Sequence, residues 1–260
     1  MEKLDYWKKI TKLPAYKDLE WNIPEQKSGT ISIIGGNSQN FSTVIRSAEF
    51  LNRTYPVKNL HIVLPDCLKN KLPPMPELVF CPSTESGSFA DSTSLRESVD
   101  RSDISILIGD FSRNSATAIA IAKAVKETNQ PVLVTRDSVD LILPEMPNII
   151  ERDSLFFVAS LMQVQKLFRA VYYPKVILLS MPLVPVVEAL HKFTLSYSTT
   201  ILTFHQGQII VATGGKVFTV PIEKTHYTPI SLWGGTLAMK ISAMNLYNPG
   251  QKAEATLSAI

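Results

Sequence analysis

From residue 29 onward the chain alternates short, nearly continuous apolar runs with longer segments whose apolar positions recur every three to four residues. "TISIIGG" (Thr30–Gly36) is a β-branched apolar run closed by a glycine pair, the pattern of a buried strand. The next segment, "NFSTVIRSAEFLNRT", places Phe41, Val44, Ile45, Ala48 and Leu51 on one helical face, with Ser38 or Asn40 available as a cap. The same alternation predicts strands at "NLHIVLP", "ELVFCP", "ISILIGD", "QPVLVT", "SLFFVA" and "KVILLS". Helices are predicted at "TSLRESVDR", "NSATAIAIAKAVKET", "DSVDLIL", "SLMQVQKLFRAVY" and "PVVEALHKF". Strands that are apolar on both faces and separated by helices predict a parallel sheet covered on both sides.

The pattern changes near the end. "TILTFH", "QIIVAT" and "KVFTVP" are three strands in close succession, and the Gly214-Gly215 pair in "ATGGKV" predicts a tight hairpin. A helix, "GGTLAMKISAMNLY", follows, then Pro249-Gly250 and a last short helix. Residues 1–28 are polar and mixed, with Pro14 and Pro24, and are expected to form a short helix and a linker ahead of the main unit. No composition break or internal repeat divides 29–260, which is expected to be one domain.

Composition narrows the function classes. With 260 residues and a 45% apolar share, the chain can bury a sizeable core. Its net charge of +3 is too weak to indicate nucleic acid. No apolar run spans a bilayer: the nearest, "YYPKVILLSMPLVPVVEAL", is broken by Lys175, Pro174, Pro182 and Pro185. "MEKLDYWKKI" lacks the apolar segment of a signal peptide, and Cys67 and Cys81 have no metal-ligand spacing. These features point to a reduced, cytoplasmic setting. The low charged share, 19%, and the apolar helix "LAMKISAMNLY" fit burial in a homo-oligomer, although Met and Ala at helical spacing equally describe core.

Open α/β sheets bind ligands beyond the carboxyl ends of their strands, so the βα junctions are the candidate sites. Gly35-Gly36-Asn37-Ser38 is one, either a ligand loop or simply a turn; it is neither a dinucleotide fingerprint nor a P-loop. "LIGDFSRNS" supplies Gly109, Asp110 and Arg113, whose guanidinium can grip a phosphate, cap a helix or lie in water. In "VTRDSVD", Arg136 and Asp137 form a local ion pair, or Asp137 caps the next helix. "LWGGTLAMK" aims the backbone amides of Gly234, Gly235 and Thr236 out of a helix start, where unpaired N–H groups and the helix dipole favour an anion; close packing explains the glycines equally well. The four histidines are scattered, no GxSxG elbow occurs, and no metal site is expected.

Taken together, element order, late hairpin and terminal glycine-turn helix resemble the ribokinase-like superfamily. Within it, residues 28–260 most resemble the ADP/ATP-dependent NAD(P)H-hydrate dehydratases. "SGTISIIGGNSQNFSTVIRSAEFL" is similar to the family's opening strand, Gly-Gly turn and helix, and "MPELVF" to its Pro-Glu element. "RSDISILIGD" resembles the strand leading into its Gly-Pro-Gly-Leu-Gly loop, and "QPVLVTRDSVDLI" its Asp-Ala-Asp-Ala-Leu segment. The motif side chains diverge. Asp-Phe-Ser-Arg follows Gly109, Thr135 replaces the first Asp while Asp137 matches the second, and Ser160 and Gln163 stand for a His and a Glu. Thr203 takes the place of a Lys, Gly234 matches a Gly, and Gly235 occupies the position of the catalytic Asp.

The resemblance implies a three-layer α/β/α fold with a mostly parallel central sheet. It implies ADP or ATP, with Mg2+ if active, against Gly234, Gly235, Thr236, Gly109, Asp110 and Thr203, and an NAD(P)H-related ligand against Gly35, Gly36, Asn37 and Asp137. The family's Asp accepts the hydroxyl proton as a phosphoryl group moves onto the substrate. General-base catalysis is worth about 10²- to 10⁴-fold, and glycine cannot supply it. Backbone amides survive such a change, so weak binding without turnover is the first expectation. An active kinase or dehydratase with its base relocated to Asp110, Asp137 or Glu223 is the second. A non-enzymatic assembly protein that kept only the fold is the third.

Overall fold

The computed structural model describes residues 5–13, 22–152 and 154–260. Ten strands among these join in one sheet. They are β1 (Trp7–Lys9), β2 (Ser28–Gly35), β3 (Val57–Pro65), β4 (Leu78–Cys81), β5 (Ile104–Gly109), β6 (Val132–Thr135), β7 (Leu155–Val158), β8 (Thr199–His205), β9 (Gln208–Thr213) and β10 (Lys216–Pro221). Their order across the sheet is β1-β10-β9-β8-β7-β6-β5-β2-β3-β4. From β4 through β8 every pairing is parallel; only β9 runs against both its neighbours. Gly214 and Gly215 make the turn of the predicted β9–β10 hairpin.

Period-two alternation sends each strand's side chains into two separate cores. Val132 and Val134 of β6 join one core and Leu133 the other; in β9, Ile210 and Ala212 part in the same way from Ile209 and Val211. The first core is closed by α2 (Ser92–Asp100), α3 (Ser115–Glu127), α4 (Asp137–Ile142), α5 (Leu161–Ala170) and α6 (Leu183–Ser196). The second is closed by α1 (Ser42–Thr54), α7 (Thr236–Tyr247) and α8 (Lys252–Ser258). The result is the expected three-layer arrangement.

Four expectations change. "KVILLS" is not a strand: Ile177 alone is buried, Val176, Leu178 and Leu179 face solvent, and β8 occupies the place beside β7. Residues 7–9 form strand rather than helix, parallel to β10, held by the Trp7 Nε1 hydrogen bond to Thr219 Oγ1 (3.0 Å) and by Tyr6 stacked on His191. The rest of the expected amino-terminal helix and linker falls partly outside the described residues. Neither Ser38 nor Asn40 caps α1, whose N-cap is Phe41. Lastly, α7 is core: Leu237, Ala238, Met239, Ile241, Ala243 and Met244 are all buried within this chain, so its apolar face is not an oligomer contact.

The chain runs outward through β2, β3 and β4, then returns to place β5 on the other side of β2. This reversal makes the carboxyl ends of β2 and β5 the switch point, the place where open α/β sheets bind ligands.

Candidate functional site

Three of the four candidate junctions meet at this crest. Gly36 N donates to Gly109 O (2.9 Å), tying the first junction to the second. Asn37 extends the tie: Nδ2 donates to Asp110 O (2.6 Å), and Oδ1 accepts from Gln39 N and Asn40 N. Asp110 N donates to both carboxylate oxygens of Asp137, at 3.0 and 3.1 Å. A Cβ at Gly109 would collide with that carboxylate, so only glycine lets Asp137 reach the Asp110 amide. Asp137 therefore does not cap α4; the N-cap is Arg136, and Asp137 is the first residue of the helix.

Arg136 does not pair with its sequence neighbour. Its side chain reaches across β5, donating from one terminal nitrogen to Ile108 O (3.0 Å) and from the other to Asp110 Oδ1 (2.9 Å). Both side chains are largely buried, 11% and 17% exposed. Both residues also hold left-handed backbone, φ 57° and 61°. Such conformations cost about 1–3 kcal/mol each and persist only where the surroundings over-determine them. Gln163 secures the far side: it forms a capping box with Ser160 at the start of α5, and its Nε2 donates to Arg136 O (2.7 Å) and Asp140 Oδ2 (2.8 Å). Lys166 closes the chain of contacts on Asp140.

The fourth junction reaches the same end of the sheet by packing. Gly235 precedes α7 at φ +81°, and a Cβ there would lie 2.8 Å from Ser47 Oγ and 3.1 Å from Ile108 Cδ1. The Cα of Gly235 is thus packed against α1 and β5. Gly234 differs: a Cβ there would meet nothing within 4 Å. Before it, Trp233 and Ile230 stand 45% and 77% exposed on a 3-10 turn fixed by Thr228 and Ser231. No side chain caps α7 and no acidic residue lies in its first turn. The helix start carries the positive end of the dipole, with Gly234 and the Trp233 indole exposed beside it while Gly235, Leu237 and Ala238 are buried.

The remaining expected residues lie as follows. Thr236 is half-buried at the first position of α7. Thr203 is inside β8, fully buried, with no hydrogen-bond partner for Oγ1, and is not gathered with the crest. Glu223 is exposed on a separate 3-10 turn. Arg113 is exposed and lines a cavity of about 410 Å3 with Phe111, Asn114, Asp137, Asp140 and Lys166. Among the described residues, no cluster of three or more His, Cys, Asp or Glu is placed to hold a metal. Sequence reasoning missed the Arg136–Asp110 pair and Trp233. The S-x-x-Q spacing of Ser160 and Gln163 was a readable capping signal.

No protein-family model matches the sequence, and no curated protein matches it by sequence. Solved structures do match in shape. A ribokinase-like superfamily protein from Enterococcus faecalis aligns at TM-score 0.65 and 15% identity, covering 99% of this chain and 86% of that one. The ADP/ATP-dependent NAD(P)H-hydrate dehydratase of Bacillus subtilis, co-crystallised with ATP and Mg2+, aligns at 0.58 and 14% identity over 93% and 83%. A hydroxyethylthiazole kinase from Pyrococcus horikoshii aligns at 0.55 and 14% identity over 93% and 79%. The fold is ribokinase-like.

Proposed function

We propose that the chain is a divergent protein of the NAD(P)H-hydrate dehydratase-like branch that binds a nucleotide or dinucleotide weakly at the crest and does not turn it over. The observation that carries this reading is the start of α7. The family resemblance puts Gly235 where the reaction needs a carboxylate; its backbone is left-handed, and Ser47 and Ile108 fill the space a side chain would need. Gly234 is exposed and no side chain caps the turn, so we take the amides there as the phosphate contact, with Trp233 beside them as a surface for a base. ADP or ATP with Mg2+ would supply the phosphoryl group; this chain's part would be to hold the phosphates through the amides around Gly234 and Thr236. Gly35, Gly36, Asn37, Gly109, Asp110 and Asp137 would shape the neighbouring substrate wall, while Thr203 lies apart within β8. We assign the ligand-binding unit to 29–260, with 1–28 an amino-terminal extension that lends one edge strand, and we place the protein in the cytoplasm.

Isothermal titration with ADP, ATP and NADH tests the binding claim: a weak saturable heat with at least one is expected, and no heat with any overturns it. The reading with a relocated base is less well supported, since Asp110 is engaged by Arg136, Asp137 by the Asp110 amide, and Glu223 lies apart in solvent. Turnover of hydrated NADH by the parent, abolished in Asp110→Asn or Glu223→Gln, would establish it instead. Self-association has one specific observation in its favour. Tyr172, Val176, Leu178 and Leu179 form an exposed apolar strip between α5 and α6. A homo-oligomer joined there would dissociate in Leu179→Glu, measured by sedimentation; a wild-type monomer at high concentration removes it.

A further inference from the structure

Arg136 is held in a way that its surroundings do not fully satisfy. Its backbone stands at φ 57° and ψ −138°, a region that turns fill with glycine rather than with a long side chain. One terminal nitrogen of the guanidinium donates to Ile108 O and the other to Asp110 Oδ1, while Nε is buried with no hydrogen-bond partner. Among the described residues Asp110 is its one ion-pair partner; Asp137 is turned to the Asp110 amide and Asp140 to Lys166. Buried donors are nearly always paired, and strained backbone gathers at ligand clamps and switches, so a buried cation that shows both calls for a functional explanation. Asp110 is the half that can move. Its backbone is pinned on both sides, by its own N–H on Asp137 and by Asn37 Nδ2 on its carbonyl, but its carboxylate is held by Arg136 alone. Arg136 stays anchored through Ile108 O and through Gln163 on its own carbonyl. Ile108 also links it to the start of α7, since its Cδ1 would lie 3.1 Å from a Cβ at Gly235.

We propose that Arg136 is an anion-binding residue held in reserve, and that the Asp110 carboxylate keeps the place of a ligand's phosphate on it. A phosphate oxygen takes over the terminal nitrogen that Asp110 now occupies, a pairing for which guanidinium and phosphate are well matched, and the displaced carboxylate turns to solvent. The ligand class, a nucleotide or dinucleotide, rests on the function proposed above; the new element is the contact that limits its affinity. A binding-competent state that is only a minor fraction of the free protein lowers the apparent affinity by that fraction.

The test titrates pyrophosphate and, in parallel, ADP into the full chain. Asp110→Asn removes the competing charge and suits left-handed backbone, so it is expected to bind pyrophosphate about tenfold more tightly than the parent. Asp110→Gly, equally at home at that φ, should show the same gain. Asp140→Asn removes a carboxylate that Lys166 already neutralises and leaves Arg136 paired, so it should show none. Arg136→Met in the Asp110→Asn background should return the affinity to the parent's or below. A tightening absent from both Asp110 variants, matched by Asp140→Asn, or retained without Arg136 overturns the proposal. ADP separates the two claims. Tightening with pyrophosphate but no ADP binding by any of these proteins overturns the nucleotide reading alone; ADP binding by the parent that neither Asp110 variant tightens, for either ligand, overturns the reserve role alone.

Discussion

Gly235→Asp would restore the carboxylate that the proposed family places here, and the packing opposes it. The new Cβ would sit 2.8 Å from Ser47 Oγ and 3.1 Å from Ile108 Cδ1. Two costs follow. Left-handed backbone at a residue with a Cβ costs about 1–2 kcal/mol, and forcing atoms into a packed site costs about 1–3 kcal/mol more. A loss of about 2–5 kcal/mol is a large part of a typical stability of about 5–15 kcal/mol. In a chain of this size it lowers the melting temperature by roughly 4–20 °C. Gly235→Ala isolates the packing and backbone part from the charge, and urea unfolding measures it. Gly234→Ala is the internal control. Its Cβ meets nothing and its φ is not left-handed, so its change should stay within about 0.5 kcal/mol. Ser47→Ala removes the closest contact atom, so the Gly235→Ala/Ser47→Ala pair should show a favourable coupling of about 0.5–3 kcal/mol. Equal effects at 234 and 235, or no coupling to Ser47, refute this account of the helix start.

Two other perturbations probe the scaffold. Arg136→Met leaves the Asp110 carboxylate buried without its partner and should cost about 3–5 kcal/mol; combined with Asp110→Asn the loss should be smaller than the sum, and strict additivity in urea unfolding would contradict the pairing. Asp91 caps α2, and hydrogen bonds from Ser94, first its hydroxyl and then its amide, with Thr93 N, hold its pKa below the ordinary carboxylate value. A folded-state value lowered in this way adds stability that is complete above the unfolded pKa and disappears as pH falls through the folded one. Asp91→Ala should therefore cost about 1 kcal/mol at neutral pH, with the gap closing in strong acid; a gap that persists at about pH 2 counts against the cap.

The layers of this fold were legible because burial on both faces writes a long apolar run, and helices write a different period. The failures have physical causes. "KVILLS" has strand composition, but composition does not say whether a neighbouring strand is free, and β8 took that edge. "WKK" at residues 7–9 carries no strand signal of its own; its pairing with β10 depends on contacts from Thr219 and His191, more than 180 positions away. Two junction glycines mark close approaches: Gly109 faces the Asp137 carboxylate and Gly235 faces Ser47 and Ile108. The Arg136–Asp110 pair left no trace in sequence, because it joins two loops across β5 through backbone conformations that a sequence does not display. Thr203 aligned by order with a binding position, yet strand register buries it.

The central claim is that the uncapped start of α7 holds an anion. Calorimetric titration of ADP into the parent and into Gly234→Asp tests it most directly. That position has room for a side chain, so the variant should fold with unchanged stability while placing a carboxylate where the phosphate would sit. The account predicts a saturable heat for the parent, weakened about tenfold or more in Gly234→Asp, as expected when a like charge faces the ligand. Equal ADP binding by the two proteins, or none by the parent, would contradict it.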